Sequence, residues 1–414
     1  MEFVKDYFVS KVDSNTDLVT LFVTATLVVS LTLFRFSKPK KLIYDSKSSP
    51  GKTSDKEGSY DKKGSIYHDK PYEPPKIQSV SSDFCWDSTE PLKSYPFKNG
   101  AYKLTMGIKN LDPQDWLLIE PTYLSRIENK KKIITSSHPD HPSSKDTRSS
   151  TLFVTEEAIP AIKEFYNIVT NYMCDKYPMY FVKDGDVIHN KITGNSIPSS
   201  TSNPSISASE YLEYLVETIE EDFIILLKDP TREDEKDGTE YFFKAGVFAF
   251  AAGFDPADRF NKPLSFVHHP IPGYEEKLKL SMNRFFNRIS PGQFVTRSNF
   301  SVQTHAKLYV DDSNKGHNLP KDTVQVPMNI KDLDFEKQVH YRSERQTLTK
   351  LPESKAVVFT IRTYLLPMSE VKKEGKEVTD RLIGAIKGLP EDISYYKRAG
   401  EWGPPVIEYL SADD

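Results

Sequence analysis

The feature that most constrains this chain is an apolar run close to its N-terminus. Residues 18–34 (LVTLFVTATLVVSLTLF) form 17 consecutive positions without a charge. A helix needs about 17–25 residues to cross the hydrocarbon core of a bilayer, so this run is long enough to span. A buried core helix is the alternative, but the polar sequence that follows supplies no core to receive it. The run therefore predicts one transmembrane helix over about residues 18–34, within an N-terminal segment of residues 1–36.

Basic residues beside this run predict its orientation. Two lysines precede it, whereas Arg35, Lys38, Lys40 and Lys41 follow it closely. Positive charge is enriched on the cytoplasmic side of membrane helices, so the rest of the chain is predicted to be cytosolic. The short length suits a thin membrane, which favours the endoplasmic reticulum. An anchor in the mitochondrial outer membrane would have much the same sequence.

Residues 37–94 are rich in Lys, Ser, Asp and Tyr and contain few aliphatic residues. Such a segment buries too little apolar surface to offset the entropy lost on ordering. We interpret residues 37–94 as a flexible linker. Ordered sequence is predicted from Tyr95 to the end, giving one domain over residues 95–414.

Several classes of protein can be set aside from composition and motifs. A formal charge of -4 gives no reason to expect a nucleic-acid partner. Two cysteines in 414 residues cannot form a disulfide framework, a four-cysteine iron–sulfur cluster or a cysteine-rich zinc site. The phosphate loop, the dinucleotide-binding turn, the HExxH zinc helix and the GxSxG nucleophile elbow are also missing from the sequence.

Hydrophobic periodicity indicates a mixture of helices and strands from residue 95 onward. Helices are predicted over residues 155–177, 207–221 and 277–289. Strands are predicted over residues 223–227, 241–254, 293–303, 306–310, 342–348 and 356–365. Because successive strands often lack an intervening helix, the pattern predicts an α+β domain built on an antiparallel sheet.

Two adjacent histidines form the first candidate site. His268 and His269 lie in the segment VHHPIPGY, which Pro270 and Pro272 stiffen and which we expect to be extended. Neighbouring side chains on an extended chain point in opposite directions, so only one imidazole can enter a given pocket. A single imidazole on a rigid loop suits an axial haem ligand. The alternative is a pair of loop histidines that make ordinary hydrogen bonds.

A charged stretch on a predicted strand forms the second candidate site. In RSERQTL, the residues Arg342, Glu344 and Gln346 share one face of the strand, and Arg345 takes the other. Arginines here and at Arg362 could bind carboxylates bidentately, and a half-buried carboxylate could bind a cationic amine. The alternative is a surface ion-pair ladder, which stabilises a protein very little.

Several short motifs, taken together in order, resemble one protein family. They are YKLTMGI at residues 102–108, FDP at 254–256, the His268 loop, RSNFS at 297–301, RSERQTL at 342–348 and YKR at 396–398. The chain resembles a fungal, membrane-anchored member of the haem-dependent oxidative N-demethylase alpha-subunit-like family, over about residues 95–410.

The resemblance implies a PAS-like fold, an antiparallel sheet flanked by helices, with haem b in its pocket. His268 matches the histidine of the family motif, and we infer from the chemistry of its loop that it is the ligand of the haem iron. The predicted cofactor-binding residues are His268, Arg342, Arg345 and Arg362, and the predicted catalytic residues are Glu344 and Tyr364. The implied activity is NADPH-dependent oxidation of a small secondary amine.

The chain differs from the family motif at one position, and the resemblance also implies a partner protein. Asn299-Phe300 replaces the Asn-Trp of the family. The chain carries no recognisable flavin or iron–sulfur motif, so electrons from NADPH would come through a separate flavin-containing reductase. A membrane tether would raise the effective concentration of such a partner. Two alternatives are a non-catalytic haem sensor or ligand-binding module, and a scaffold that has lost the cofactor.

Overall fold

The computed structural model describes residues 72–93, 95–140, 146–320 and 322–412. The predicted membrane helix over residues 18–34 lies outside these ranges. Within them, no helix combines the length and the apolar character that crossing a membrane requires.

A central seven-stranded sheet organises the domain, and every neighbouring pair of its strands is antiparallel. Its strands are β1 (Lys109–Asn110), β2 (Leu152–Val154), β6 (Asp222–Lys228), β7 (Tyr241–Val247), β8 (Phe294–Gln303), β9 (His340–Lys350) and β10 (Val357–Pro367), in the spatial order β1-β8-β9-β10-β6-β7-β2. A second sheet consists of β3 (Phe181–Asp184), β4 (Val187–Asn190) and β5 (Ser196–Pro198). The predicted α+β class with an antiparallel sheet is confirmed.

Ten α-helices accompany these sheets in the described ranges. They are α1 (Tyr123–Ile134), α2 (Ile159–Lys176), α3 (Ala208–Val216), α4 (Leu264–His268), α5 (Tyr274–Lys277), α6 (Lys279–Arg288), α7 (Met368–Lys373), α8 (Lys376–Lys387), α9 (Glu391–Tyr396) and α10 (Ala399–Ser411).

Local chemistry explains where some elements begin. A capping box starts α3, because the Ser207 hydroxyl accepts the Glu210 N–H while the Glu210 carboxylate accepts the Ser207 N–H. The strand predicted over residues 306–310 is wrong, since only Val310 forms an isolated bridge, to Ala252. The strand predicted over residues 241–254 ends early, at Val247. Just beyond it, the Phe250 N–H turns to donate to Asp222 Oδ2 at 2.7 Å.

Helices cover both faces of the central sheet. On one side, Phe223, Ile225 and Val358 pack into the core that α1, α2 and α3 share. We call this side the α2 face. On the other side, Ile224 and Val357 join a core with side chains of α4 and α6. We call this side the α6 face. A strand buried on both faces, such as β9, requires a hydrogen-bonding or charged partner for every polar side chain it carries.

The polar stretch before Tyr95 also contacts the domain. Residues 72–93 fall within the predicted linker, yet Ile77, Val80, Phe84 and Trp86 pack against the core of the α2 face. The Val80 N–H donates to the carbonyl of Lys176 at 2.9 Å. The packed part of the chain therefore extends N-terminal to Tyr95.

Candidate functional site

His268 is the last residue of α4, on the α6 face of the sheet. Its Nδ1 lies 2.8 Å from the Leu264 carbonyl. A carbonyl can only accept, so Nδ1 carries the proton and Nε2 holds the lone pair. No hydrogen bond to Nε2 occurs among the described residues. The prediction that this segment is extended is wrong, because His268 is helical and His269 has φ -48° and ψ -39°.

Two features keep the His268 imidazole neutral and oriented. Its ring stacks on the ring of Tyr274 at 5.2 Å between centroids and 14° between planes. Burial, with a smaller effect from Arg297 and Arg259, lowers the pKa of His268 to about 4. His269 is exposed to solvent. His268 is thus the one of the pair whose ring is held by the protein, and its unprotonated Nε2 has no hydrogen bond among the described residues, as an iron ligand requires.

A chain of polar side chains runs across β8 and β9 on this same face. Arg297 Nη1 donates to Gln346 Oε1 at 2.5 Å, and Gln346 Nε2 donates to Glu344 Oε2 at 2.9 Å. The other oxygen of Glu344 lies 3.7 Å from Arg342 Nε. Strand alternation thus places Arg342, Glu344 and Gln346 on one side, as the sequence indicated.

Arg342 is almost fully buried, at 1% exposure. It donates to the carbonyls of Phe250 at 2.5 Å and Leu308 at 3.0 Å. Its Nε has no hydrogen bond in the described part of the chain. Glu344, the nearest acid, is beyond hydrogen-bonding distance of that nitrogen. One donor of a buried guanidinium is therefore left unsatisfied beside Glu344.

Two buried lysines add to the positive charge around Glu344. Burial lowers the pKa of Lys315, and Glu344 offsets that effect in part. Burial, with a further contribution from Lys315, lowers the pKa of Lys397 to about 7. Lys397 Nζ donates to the Phe300 carbonyl at 2.6 Å. The Lys315 ammonium lies over the Tyr396 ring at 5.6 Å, and no hydrogen bond or ion pair of that ammonium occurs among the described residues.

The charges in this cluster do not balance. Burial lowers the pKa of Arg297, Arg342, Lys315 and Lys397, and the carboxylate of Glu344 offsets part of that lowering in each of them. Among the described residues, no other carboxylate acts on Arg297, Lys315 or Lys397. Glu344 therefore acts on all four basic groups and Asp222 acts on Arg342 as well, so two carboxylates face four basic groups, three of them buried and Arg297 half-buried. We call Glu344 and the four basic residues the cationic cluster; electrostatically, it favours an anionic ligand.

Arg362 lies on the opposite side of the sheet and binds only protein groups. It is 1% exposed and pairs with Glu120 at 2.7 Å, Glu220 at 2.7 Å and Glu221 at 3.2 Å. It also donates to the carbonyl of Leu118 at 3.0 Å. These contacts use every N–H of the guanidinium, so none is left for a cofactor. The structure gives Arg362 a structural role in place of the predicted cofactor contact.

Arg345 and Tyr364 also project to the α2 face. Arg345 donates to the carbonyls of Asp115 and Trp116, and Tyr364 lies 3.3 Å from a carboxylate oxygen of Glu120. The sheet separates both side chains from His268 and Glu344. The predicted catalytic pair of Glu344 and Tyr364 is not brought together, because β9 and β10 turn the two side chains to opposite faces.

Sequence reasoning gave no role to Lys315 or Lys397. Lys397 appeared only within a family motif, and Lys315 lies in an irregular stretch without periodicity. Lysine is seldom buried, and nothing in the local sequence indicates that Lys315 and Lys397 are buried. Only the packing around Glu344 reveals them.

Comparison with protein families gives one finding. Residues 107–407 match the family model described as haem-dependent oxidative N-demethylase, alpha subunit-like. The match includes His268, Glu344, both lysines and the whole central sheet.

The contacts of Arg362 predict a large loss of stability on substitution. Arg362→Met leaves three buried glutamates without their main counter-charge, which should lower the free energy of unfolding by about 3–5 kcal/mol. Urea unfolding measures this. Arg148→Met, which breaks the half-exposed pair with Glu213, is the matched control and should cost about 0–1 kcal/mol. Equal losses in the two variants would contradict the assignment.

The lowered pKa of Lys397 predicts how stability depends on pH. Between pH 7 and the ordinary lysine value of 10.5, the unfolded chain binds a proton that the folded protein does not. Stability therefore rises with pH across this window, and the cost of burying the charge is greatest below pH 7. Without bound hemin, Lys397→Met should exceed the wild type in stability at pH 6, and the difference should shrink by pH 10.

Urea unfolding at pH 6, 8 and 10 tests this, with the exposed Lys387→Met as control. A difference between Lys397→Met and wild type that stays constant with pH would show that Lys397 is not held neutral.

Proposed function

Because the chain belongs to the haem-dependent oxidative N-demethylase alpha-subunit-like family, we propose that it is a haem-dependent oxidoreductase that oxidises a small amine. The observation that carries this proposal is the neutral His268 imidazole, whose Nε2 has no hydrogen bond in the described part of the chain and which lies on the same face as the cationic cluster. We also propose that the fold of this domain is PAS-like.

The residues on this face fit haem b. The iron needs one imidazole nitrogen, and His268 supplies it. The two propionates need positive charge, which the guanidinium groups of Arg297 and Arg342 in the cationic cluster can supply. The unsatisfied Nε of Arg342 is one donor available to an anion. Within this proposal, Arg342 remains a cofactor-binding residue, whereas Arg345 and Arg362 do not.

When bound, haem supplies the iron at which oxygen is activated. Around it, the side chains of this chain would hold the amine and manage protons. Glu344 is the one carboxylate in the cluster, and it can accept a proton or a hydrogen bond from an amine. Lys397 has a pKa of about 7, so it can hold or release a proton near neutral pH. Titratable side chains beside the cofactor favour an enzyme over a non-catalytic sensor.

The electron supply is part of the same proposal. Electrons from NADPH would reach the haem through a separate flavin-containing reductase. Anchoring by residues 18–34 would confine the domain to the cytosolic surface of the endoplasmic reticulum, where a membrane-bound reductase is concentrated in two dimensions.

Substitution of the two adjacent histidines tests the iron ligand. The full-length protein reconstituted with hemin should show a Soret band. His268→Ala should abolish hemin retention, whereas His269→Ala should retain it, because the His269 ring faces solvent. Absorption spectra after gel filtration provide the measurement. A wild type that binds no hemin would contradict the catalytic proposal. If His268→Ala retains hemin and His269→Ala loses it, the iron ligand is His269.

The need for a reductase can be tested directly. Hemin-loaded, detergent-solubilised protein should consume NADPH in the presence of an amine only when a flavin reductase is added. Formaldehyde release and NADPH oxidation are the measurements, and the same mixture without amine is the control. Turnover with no added reductase would refute the separate electron donor.

A further inference from the structure

Glu240 is a buried carboxylate beside the helix that carries His268. It is 5% exposed and immediately precedes β7. One carboxylate oxygen accepts the Ser265 N–H at 2.7 Å; the other accepts the Ser265 hydroxyl and the Asn283 amide, both at 2.6 Å. Three donors converge on one carboxyl group, which is the environment of an ionised carboxylate.

This carboxylate has no counter-ion in the part of the chain that the structure describes. None of the ion pairs among residues 72–93, 95–140, 146–320 and 322–412 includes Glu240. Lys279 is committed to Asp237 at 2.8 Å and to Glu275 at 3.0 Å. A buried charge without a counter-ion is costly. A glutamine could satisfy the same groups after rotation of the Ser265 hydroxyl and the Asn283 amide, so hydrogen bonding alone does not require the charge.

The hydrogen bonds of Glu240 reach His268 through one turn of helix. Ser265 is the second residue of α4, and His268 is the last. Leu264, at the start of α4, provides the carbonyl that orients the imidazole. By binding the Ser265 N–H and hydroxyl, the carboxylate holds the turn that determines where this carbonyl lies.

The same carboxylate also binds α6, the helix that contacts the stacking partner of the imidazole. Asn283 belongs to α6, and the Tyr274 hydroxyl lies 3.8 Å from the sulfur of Met282 on that helix. Tyr274 is the ring on which His268 stacks. Glu240 therefore links α4, which carries His268, to α6, which contacts the Tyr274 side chain on which His268 stacks.

We propose that Glu240 is a positioning residue for His268: it anchors α4, and its unneutralised negative charge increases the electron donation of the imidazole to the haem iron. This inference rests on the proposed function. A negative charge near an iron ligand stabilises the ferric state relative to the ferrous state, which carries one less positive charge. Groups behind a ligating histidine commonly orient it and tune the metal in this way.

The reduction potential of the hemin-loaded, full-length protein tests the proposal. Glu240→Gln removes the charge and keeps a similar shape, so the potential should become more positive. A tenfold change in the ferric-to-ferrous preference corresponds to about 59 mV for a one-electron couple. Glu240→Asp keeps the charge on a shorter side chain, so its potential should stay near the wild-type value while hemin is released faster.

Glu164→Gln is the matched control, because that carboxylate accepts two backbone N–H groups, from Glu353 and Ser354, at 2.7 and 2.8 Å. It should leave the potential unchanged. A Glu240→Gln potential equal to that of the control would overturn the inference and leave the proposed function intact. A wild type that binds no hemin would defeat the proposed function itself.

If Glu240→Gln does not fold, Ser265→Ala decides the matter. This variant keeps the backbone bond to Glu240 and loses only the hydroxyl, so hemin should dissociate about 10-fold faster. Hemin release and a potential both equal to those of wild type would overturn the inference.

Discussion

The placement of β9 is the constraint on which the rest of this domain depends. The strand lies between β8 and β10, so both of its faces are covered, yet it carries two arginines, a glutamate and a glutamine. Charge inside a protein is tolerated only when it is paired or hydrogen-bonded. Alternation sends Arg345 to the α2 face and Arg342, Glu344 and Gln346 to the α6 face, and the two sides meet this requirement differently.

On the α2 face the protein supplies the partners. Arg345 binds main-chain carbonyls, and Arg362 on the next strand binds three glutamates. On the α6 face the partners are incomplete, because the four basic side chains outnumber the carboxylates of Glu344 and Asp222 and the Nε of Arg342 has no hydrogen bond in the described ranges. The guanidinium of Arg362 is therefore fully hydrogen-bonded on one side of the sheet, whereas the Nε of Arg342 on the other side has no hydrogen bond among the described residues. His268 lies on the side of Arg342, which is why the site is proposed there.

Parts of this arrangement could be predicted from the sequence. The alternation of RSERQTL was sufficient to separate Arg345 from Arg342 and Glu344, because a two-residue period needs no tertiary information. The conformation of the His268 loop was not predicted correctly. The helical conformation is unfavourable for a residue that precedes proline, yet His269 adopts it before Pro270. The hydrogen bond from the Ile271 N–H to the His268 carbonyl at 2.9 Å accompanies this turn. Tertiary contacts outweighed a local preference.

The roles of Arg362 and Tyr364 could not be predicted because their partners are distant in sequence. Glu120 lies more than two hundred positions before Arg362, and only the paired strands and α1 bring the two together. The two buried lysines follow the same logic, since the groups around them come from β8, β9 and the segment before α10. Strand periodicity shows to which face of the sheet a side chain points. It cannot show which groups from distant parts of the sequence contact that side chain.

The surroundings of His268 are electrically asymmetric. Behind the imidazole, the turn of α4 is bound to Glu240, whose charge no cation offsets among the described residues. The positive charges of Arg297 and Arg259 also act on the ring and help to lower its pKa. Negative charge behind a neutral ligand and positive charge beside it suit a cofactor that combines a metal cation with carboxylates. The imidazole can then donate electrons to the metal while the basic side chains bind the carboxylates.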